Sequence, residues 1–168
     1  MIKTILFLFA GLAITANAQN FEWAKSTGST DGEIGYSITT DGAGDVYITG
    51  HFRGTADFDP GVGVTNLTSN GGDDIFVQKL DANGNLLWAK QIGGTVDDLG
   101  QSLTTDALGN VYITGRFQST VDFDPGAGVT NLTSNGGQDI FILKLDVNGN
   151  LLWVKQMGGP DSDAGYSI

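Results

Sequence analysis

The chain has 168 residues, no cysteine, 8 Lys and Arg against 19 Asp and Glu, and a formal net charge of −11. Without cysteine there are no disulfides and no thiolate metal sites. The acidic balance argues against nucleic acid and anionic membrane surfaces as partners, because both are held by Lys and Arg.

The opening "MIKTILFLFAGLAITANAQN" reads as a secretory signal over residues 1–18. Lys3 supplies the positive start, Ile5 to Ile14 is an apolar run of ten residues, and Ala16-Asn17-Ala18 fits a small-x-small cleavage site. Ten residues are half of what a helix needs to cross about 30 Å of hydrocarbon. The expectation is a mature chain from Gln19, secreted or held at the cell surface, with no membrane insertion.

From Trp23 onward the sequence repeats. Trp23, Trp88 and Trp153 are spaced by 65 residues without a gap, and 44 of the 65 positions in residues 23–87 recur in 88–152. A period of that length marks an array whose units bury their faces against one another. Residues 19–22 form a lead-in, 23–87 the first repeat, 88–152 the second, and 153–168 the start of a third that ends on the "GYSI" also found at Gly35 to Ile38.

Each unit reads as four short strands with no helical periodicity. In the first they run Tyr36 to Asp41, Asp45 to Phe52, Asp74 to Leu80 and Asn85 to Ile92, with Asp59-Pro60-Gly61 marking a turn and "TNLTS" expected to add a short edge strand. Val46, Ile48 and Phe52 point opposite to Tyr47 and Thr49, and Ile75 and Val77 opposite to Phe76 and Leu80. Both faces are apolar, so each sheet is expected to lie between two others. Four-stranded antiparallel sheets stacked radially are β-propeller blades. The predicted fold class is therefore all-β, an incomplete propeller ring of about two and a quarter blades.

"GDVYITGHF" and "GNVYITGRF", the "DFDPG" turn and "NGGDDIFVQKLDANGNLLWAK" resemble the SBBP family, bacterial β-propeller repeats found in secreted and surface proteins, especially of Bacteroidetes. The resemblance covers essentially the whole mature chain. It implies a blade-type fold and export, and it supplies no catalytic residues. "FEWAKS" matches the last strand of a unit and so precedes the first blade as a lone final strand. Two units and a piece do not close a ring of about four to eight blades, and Ile168 falls inside an expected strand. The chain is read as a fragment of a longer protein whose open edges pair with missing blades. In the competing reading the edges pair with other copies, three of which supply nearly seven blades.

Two patterns suggest ligands. "DANGN" at Asp81 to Asn85 and "DVNGN" at Asp146 to Asn150 begin like calcium loops but lack the Glu at position twelve, where Ile92 stands in the first. An Asx turn with Gly84 or Gly149 at positive φ is the simpler reading. "DGAGD" at Asp41 and "DALGN" at Asp106 keep the Gly and lose the middle ligand. The second pattern is an acidic rim formed by Asp31 with Glu33, Asp97 with Asp98, and Asp161 with Asp163, able to attract cations or sugar hydroxyls. His51, the lone histidine, becomes Arg116 in the next copy and supports no triad. Asp57 with Asp59 and Asp122 with Asp124 could pair for glycoside cleavage, but alternation along a strand explains them more simply. Asn66 and Asn131 open "NLT" glycosylation patterns and are read as strand and turn residues. The predicted function is a non-catalytic exported scaffold for an unknown protein or glycan partner, with no catalytic, cofactor or metal residue assigned. The alternatives are a calcium-dependent carbohydrate-binding or adhesive module and, third, part of a hydrolase or lyase.

Overall fold

The computed structural model describes residues 22–168; the predicted signal lies outside that range. Ten strands follow one another with no helix among the described residues: β1 Glu33–Thr40, β2 Val46–Phe52, β3 Thr55–Asp57, β4 Asn66–Thr68, β5 Asp74–Leu80, β6 Leu86–Ile92, β7 Leu99–Thr105, β8 Val111–Asp122, β9 Asn131–Leu145 and β10 Leu151–Met157. They build two four-stranded antiparallel sheets, ordered β1-β2-β5-β6 and β7-β8-β9-β10, plus the small β3-β4 hairpin. The central registers coincide at the 65-residue offset: Val46 faces Leu80 and Phe52 faces Asp74, as Val111 faces Leu145 and Phe117 faces Asp139.

The turns explain the tight connections. Asp81 N–H donates to the Asn85 carbonyl at 2.8 Å and Gly84 N–H to the Asp81 carbonyl at 2.9 Å, and Asp41, Asp106 and Asp146 open the same turn. Gly44, Gly84, Gly109 and Gly149 lie at φ 76–86°, a left-handed conformation that a side chain resists.

The short strand expected at "TNLTS" forms, in a hairpin of its own and not along the edge of a four-stranded sheet. In the first unit it supplies β4, which pairs with β3 in a hairpin. In the second the equivalent residues continue β9 and pair with the end of β8, Thr120 with Thr133 through Asp122 with Asn131. The register slips between Gln118 and Thr120, where Ser119 sits at φ 64° as Gly54 does at 70°. Ser134 to Gly137 of β9 stand opposite Ser119 alone, so the extra residues of this bulge lie on β9 and the ladder resumes beyond them.

The alternation predicted for β2 and β5 holds, and it decides the packing. Tyr47, Ile75 and Val77 on one face of the first sheet share a core with Val111, Ile113, Phe141, Leu143 and Leu145 on the facing side of the second. β7 lies against β1, β2 and β5. Farther out, Val121 and Phe123 of the hairpin extension join the same core with Ile92. A smaller core of Phe52, Ala56, Phe58 and Phe76 sits under the first hairpin.

Candidate functional site

The Asp-rich turns use their carboxylates on themselves. Asp81 Oδ1 accepts the N–H groups of Asn83 and Asn85, each at 2.8 Å, and Oδ2 accepts the Asn85 amide at 2.9 Å. Asp146 repeats the pattern. At Asp106 the Asn110 side-chain amide, with the N–H groups of Asn110 and Leu108, holds the carboxyl down at about 2. Among the described residues no group of three or more His, Asp or Glu is arranged to hold a metal ion. Asp57 Oδ1 likewise accepts the N–H groups of Asp59 at 3.0 Å and Thr65 at 2.8 Å, and Asp122 does the same for Asp124 and Thr130. These carboxylates shape the hairpin loops.

The acidic rim does not form as three equivalent pairs. Only one of its positions recurs in all three copies: Glu33, Asp98 and Asp163, which are 65 residues apart. Asp98 is fully buried between the sheets. Its carboxylate accepts N–H from Gly94 at 2.7 Å and Gln118 at 3.0 Å, while its own N–H donates across the seam to the Asp73 carbonyl at 2.6 Å. Burial lifts this carboxyl to about 7, against the opposing pull of the two N–H groups. Asp163 copies the arrangement, accepting Gly159 N–H at 2.9 Å and donating to the Gln138 carbonyl at 2.6 Å. Glu33 instead bonds Ser29 within its own loop.

Beside Asp98 the seam carries an ion pair. Arg53 reaches Asp73 in its own unit at 2.9 Å and Asp97 of the next at 3.2 Å. His51 is buried against the Tyr36 ring, 5.3 Å between centroids, with Nε2 3.8 Å from Asp73 and Nδ1 without a hydrogen-bond partner. Burial holds its imidazole below the ordinary value, so it is neutral at pH 7. Asp74 Oδ1 and Asp139 Oδ1 are also buried without partners, and burial raises Asp74. Each serves a joint between elements of the fold.

Three repeats make one joint. Leu103 N–H donates to Ser37 Oγ at 3.2 Å, and Ile168 N–H donates to Ser102 Oγ at 3.3 Å. Gly100 lets β7 approach, since a Cβ there would come 2.5 Å from Thr49 Oγ1 and 3.0 Å from Ile75 Cγ2; Gly165 meets Thr114 and Ile140 in the same way. Trp88 Nε1 donates to the Val147 carbonyl at 3.1 Å, and Trp23 Nε1 to the Ala82 carbonyl at 3.0 Å. The described part of the "FEWAKS" segment, Glu22 to Ser26, thus docks where a last strand belongs, although it pairs with no strand.

Beyond this joint the two outer faces are exposed only in part, with Val46, Phe52 and Phe76 on the first and Thr114 on the second buried. On the first sheet Ile38 is 66% exposed, whereas its equivalent Leu103 is 4% exposed in the seam. On the second Met157 is 46% exposed, whereas Ile92 is 1% exposed. Exposed valines were not singled out from the sequence: Val62 and Val64 project from the first hairpin loop, and Val129 from the second. The signal was present as an apolar residue beside or between the turn glycines in "DPGVGV" and "DPGAGV".

Residues 87–116, which run from the last strand of the first sheet across the seam into β8, match the sequence profile of the SBBP β-propeller repeat. The chain is 31% identical over 109 residues to an uncharacterised WD repeat-containing protein of Acanthamoeba polyphaga mimivirus, covering 56% of this chain and 8% of that protein. It is 27% identical over 152 residues to the regulatory protein FlaEY of Caulobacter vibrioides, covering 88% of this chain and 15% of that protein. The chain therefore spans less than a sixth of either relative. An all-β array of antiparallel sheets with a β-propeller repeat at its seam is the class that the fold and these matches define.

Proposed function

We propose that this chain is a stretch of an exported β-propeller, two blades flanked by pieces of a preceding and a following blade, which acts as a non-catalytic scaffold for protein contacts at the cell surface. The observation that carries the reading is the seam joint recurring at 65-residue spacing. A sheet docked by its own repeat on one face, and offering the complementary face to the next, is what radial stacking requires. The WD repeat in the mimivirus relative's name supports a role in protein contacts. The valines at the hairpin tips offer apolar contacts on rigid, repeated loops. Export rests on the order of charge, apolar run and cleavage site in residues 1–18.

A photo-crosslinking residue placed at Val64 or Val129 in the producing cell tests this. Discrete adducts to an envelope or external protein are expected, with none from the same probe at buried Val111. Adducts absent from both loops would overturn the scaffold reading, and a purified protein retaining Met1 would overturn export.

A further inference from the structure

We propose that the cleft beside the seam, lined by Gly32, Ile34, His51, Arg53 and Asp73, binds one ring of an uncharged sugar and needs no calcium to do so. None of these residues is among the hairpin valines of the scaffold reading, so either reading can fail alone.

The repeat itself locates the cleft. The two units agree at 44 of 65 positions, and four of the departures meet here. His51, Arg53, Asp73 and Asp97 become Arg116, Gln118, Gln138 and Ser162 at the same places in the next copy. The backbone does not follow the side chains. Phe52 pairs with Asp74 as Phe117 does with Asp139, and Asp73 N–H donates to Asp97 Oδ1 at 3.0 Å where Gln138 N–H donates to Ser162 Oγ at 3.4 Å. Holding the joint together therefore does not require the charged set, and its task belongs to the first unit alone.

Each member has hydrogen-bonding capacity left over. His51 is 7% exposed, its Nδ1 is buried without a partner, and Nε2 stands 3.8 Å from Asp73 Oδ2, too far for a hydrogen bond. An imidazole so placed has lost its hydration and gained nothing in exchange. A ligand hydroxyl, which both donates and accepts, restores what is missing. Arg53 commits Nε to Asp73 Oδ1 at 2.9 Å and Nη2 to Asp97 Oδ1 at 3.2 Å, which fixes the guanidinium plane while Nη1 has no partner among the described residues. Planar donors and acceptors thus stand side by side, as the neighbouring hydroxyls of a sugar require. Ile34, which lines the same cleft and is 46% exposed, offers an apolar wall to the C–H groups of the ring. The cleft holds about 300 Å³, the lower end of ligand-pocket sizes and room for a single ring.

Charge selects against other small ligands. Asp73 and Asp97 on one side and Arg53 and Arg116 on the other act on His51, so the surroundings balance, and burial keeps the imidazole itself uncharged near neutral pH. A free anion would meet the two carboxylates within a chain of net charge −11, and a cation would meet a guanidinium already seated between them. A transition metal would find only His51 and Asp73, short of the three or four protein ligands such ions take. A neutral polyol encounters none of these obstacles.

Titration of the isotope-labelled protein with the methyl pyranosides of glucose, galactose, mannose and N-acetylglucosamine, followed by NMR in EDTA and again with calcium, tests the site. A ligand of this size is held at millimolar strength. At least one of the four is expected to give saturable shifts at the His51 ring, the Arg53 Nε–H and the amides of Gly32 and Asp73. The second unit supplies substitutions that the fold accommodates: Asp73→Gln and His51→Arg copy what stands at Gln138 and Arg116. Each should weaken binding about tenfold or more, with a thermal midpoint close to the parent's, while Gln138→Ala leaves the affinity unchanged. No saturable shift with any of the four, binding as tight in Asp73→Gln as in the parent, shifts that appear only with calcium, or acetate or methylammonium bound more tightly than every sugar would each overturn the proposal.

Discussion

Ile38 and Leu103 occupy the same place in two copies of one unit, and so do Gly35 and Gly100, yet the first of each pair faces solvent and the second a neighbouring sheet. The strands around them have the same lengths at their centres, the same turns and the same registers. Local structure is therefore set inside each unit, while burial is set by whether another unit lies on top. The first sheet leaves Ile38 open on its outer face, and the second shows what that position becomes when covered.

Removing the side chains at the paired positions should separate the two environments most widely. Leu103→Ala is expected to cost about 2–4 kcal/mol by lost burial and a residual cavity, and Ile38→Ala no more than about 0.5 kcal/mol, as read from urea midpoints at a concentration where the chain is monomeric. Equal losses would mean that the two sheets are not stacked as described.

The glycine pair sharpens the same contrast. At Gly100 an added methyl would strike Thr49 and Ile75, and Gly100→Ala should cost about 1–3 kcal/mol through overpacking. At Gly35 the nearest atom to a new Cβ is Ile48 Cγ2 at 3.7 Å, an ordinary contact, so Gly35→Ala should leave the thermal midpoint nearly unchanged.

Acidity offers a subtler probe of the covered seam. With its carboxyl raised to about 7, folded Asp98 binds a proton more tightly than the unfolded chain does. Its contribution to stability is full below the unfolded value of about 3.9 and is lost as pH rises through the folded value. Calorimetry between about pH 5 and pH 8 should therefore show a decline in stability that flattens in Asp98→Asn. A parent protein whose stability rises through that window, or a variant with the same slope, would assign the seam's titration to another group. Asp106 and Asp81, held low by their own turns, act at more acid pH and with the opposite sign.

The smallest effect is expected at the ion pair that only the first unit makes. Arg53 is half-exposed and becomes Gln118 in the second unit, so Arg53→Ala should change stability by about 0–1 kcal/mol at low salt. About 1 M salt should erase the difference. A loss of several kcal/mol that survives salt would make this pair a structural clamp on the seam.

Much of the architecture was legible before any coordinate. The 65-residue period, the four strands of each unit, the two-sided alternation in β2 and β5, and the Asx turns with their glycines all follow from local rules of pleat and turn geometry. The candidate ligand residues were partly legible. That Asp81 and Asp146 serve turns could be read from "DxNGN" and the missing Glu, because the bonding partners lie within four residues. The burial of Asp98 could not be read, since its partners come from Gly94, from Gln118 in the next strand and from Asp73 in the preceding unit. Nor did the second "TNLTS" announce that it would lengthen β9, where the ladder with β8 resumes beyond the extra residues Ser134 to Gly137, whereas the first unit forms a separate hairpin.

By itself, then, the sequence determined the unit: its period, its strands, its turns and the two apolar faces each sheet would have to cover. Only the tertiary structure decided which of those faces are covered, which carboxylate is taken out of water, and which tryptophan finds its acceptor. Period and alternation depend on neighbours a few residues away. Covering a face depends on a surface brought there from 65 residues off.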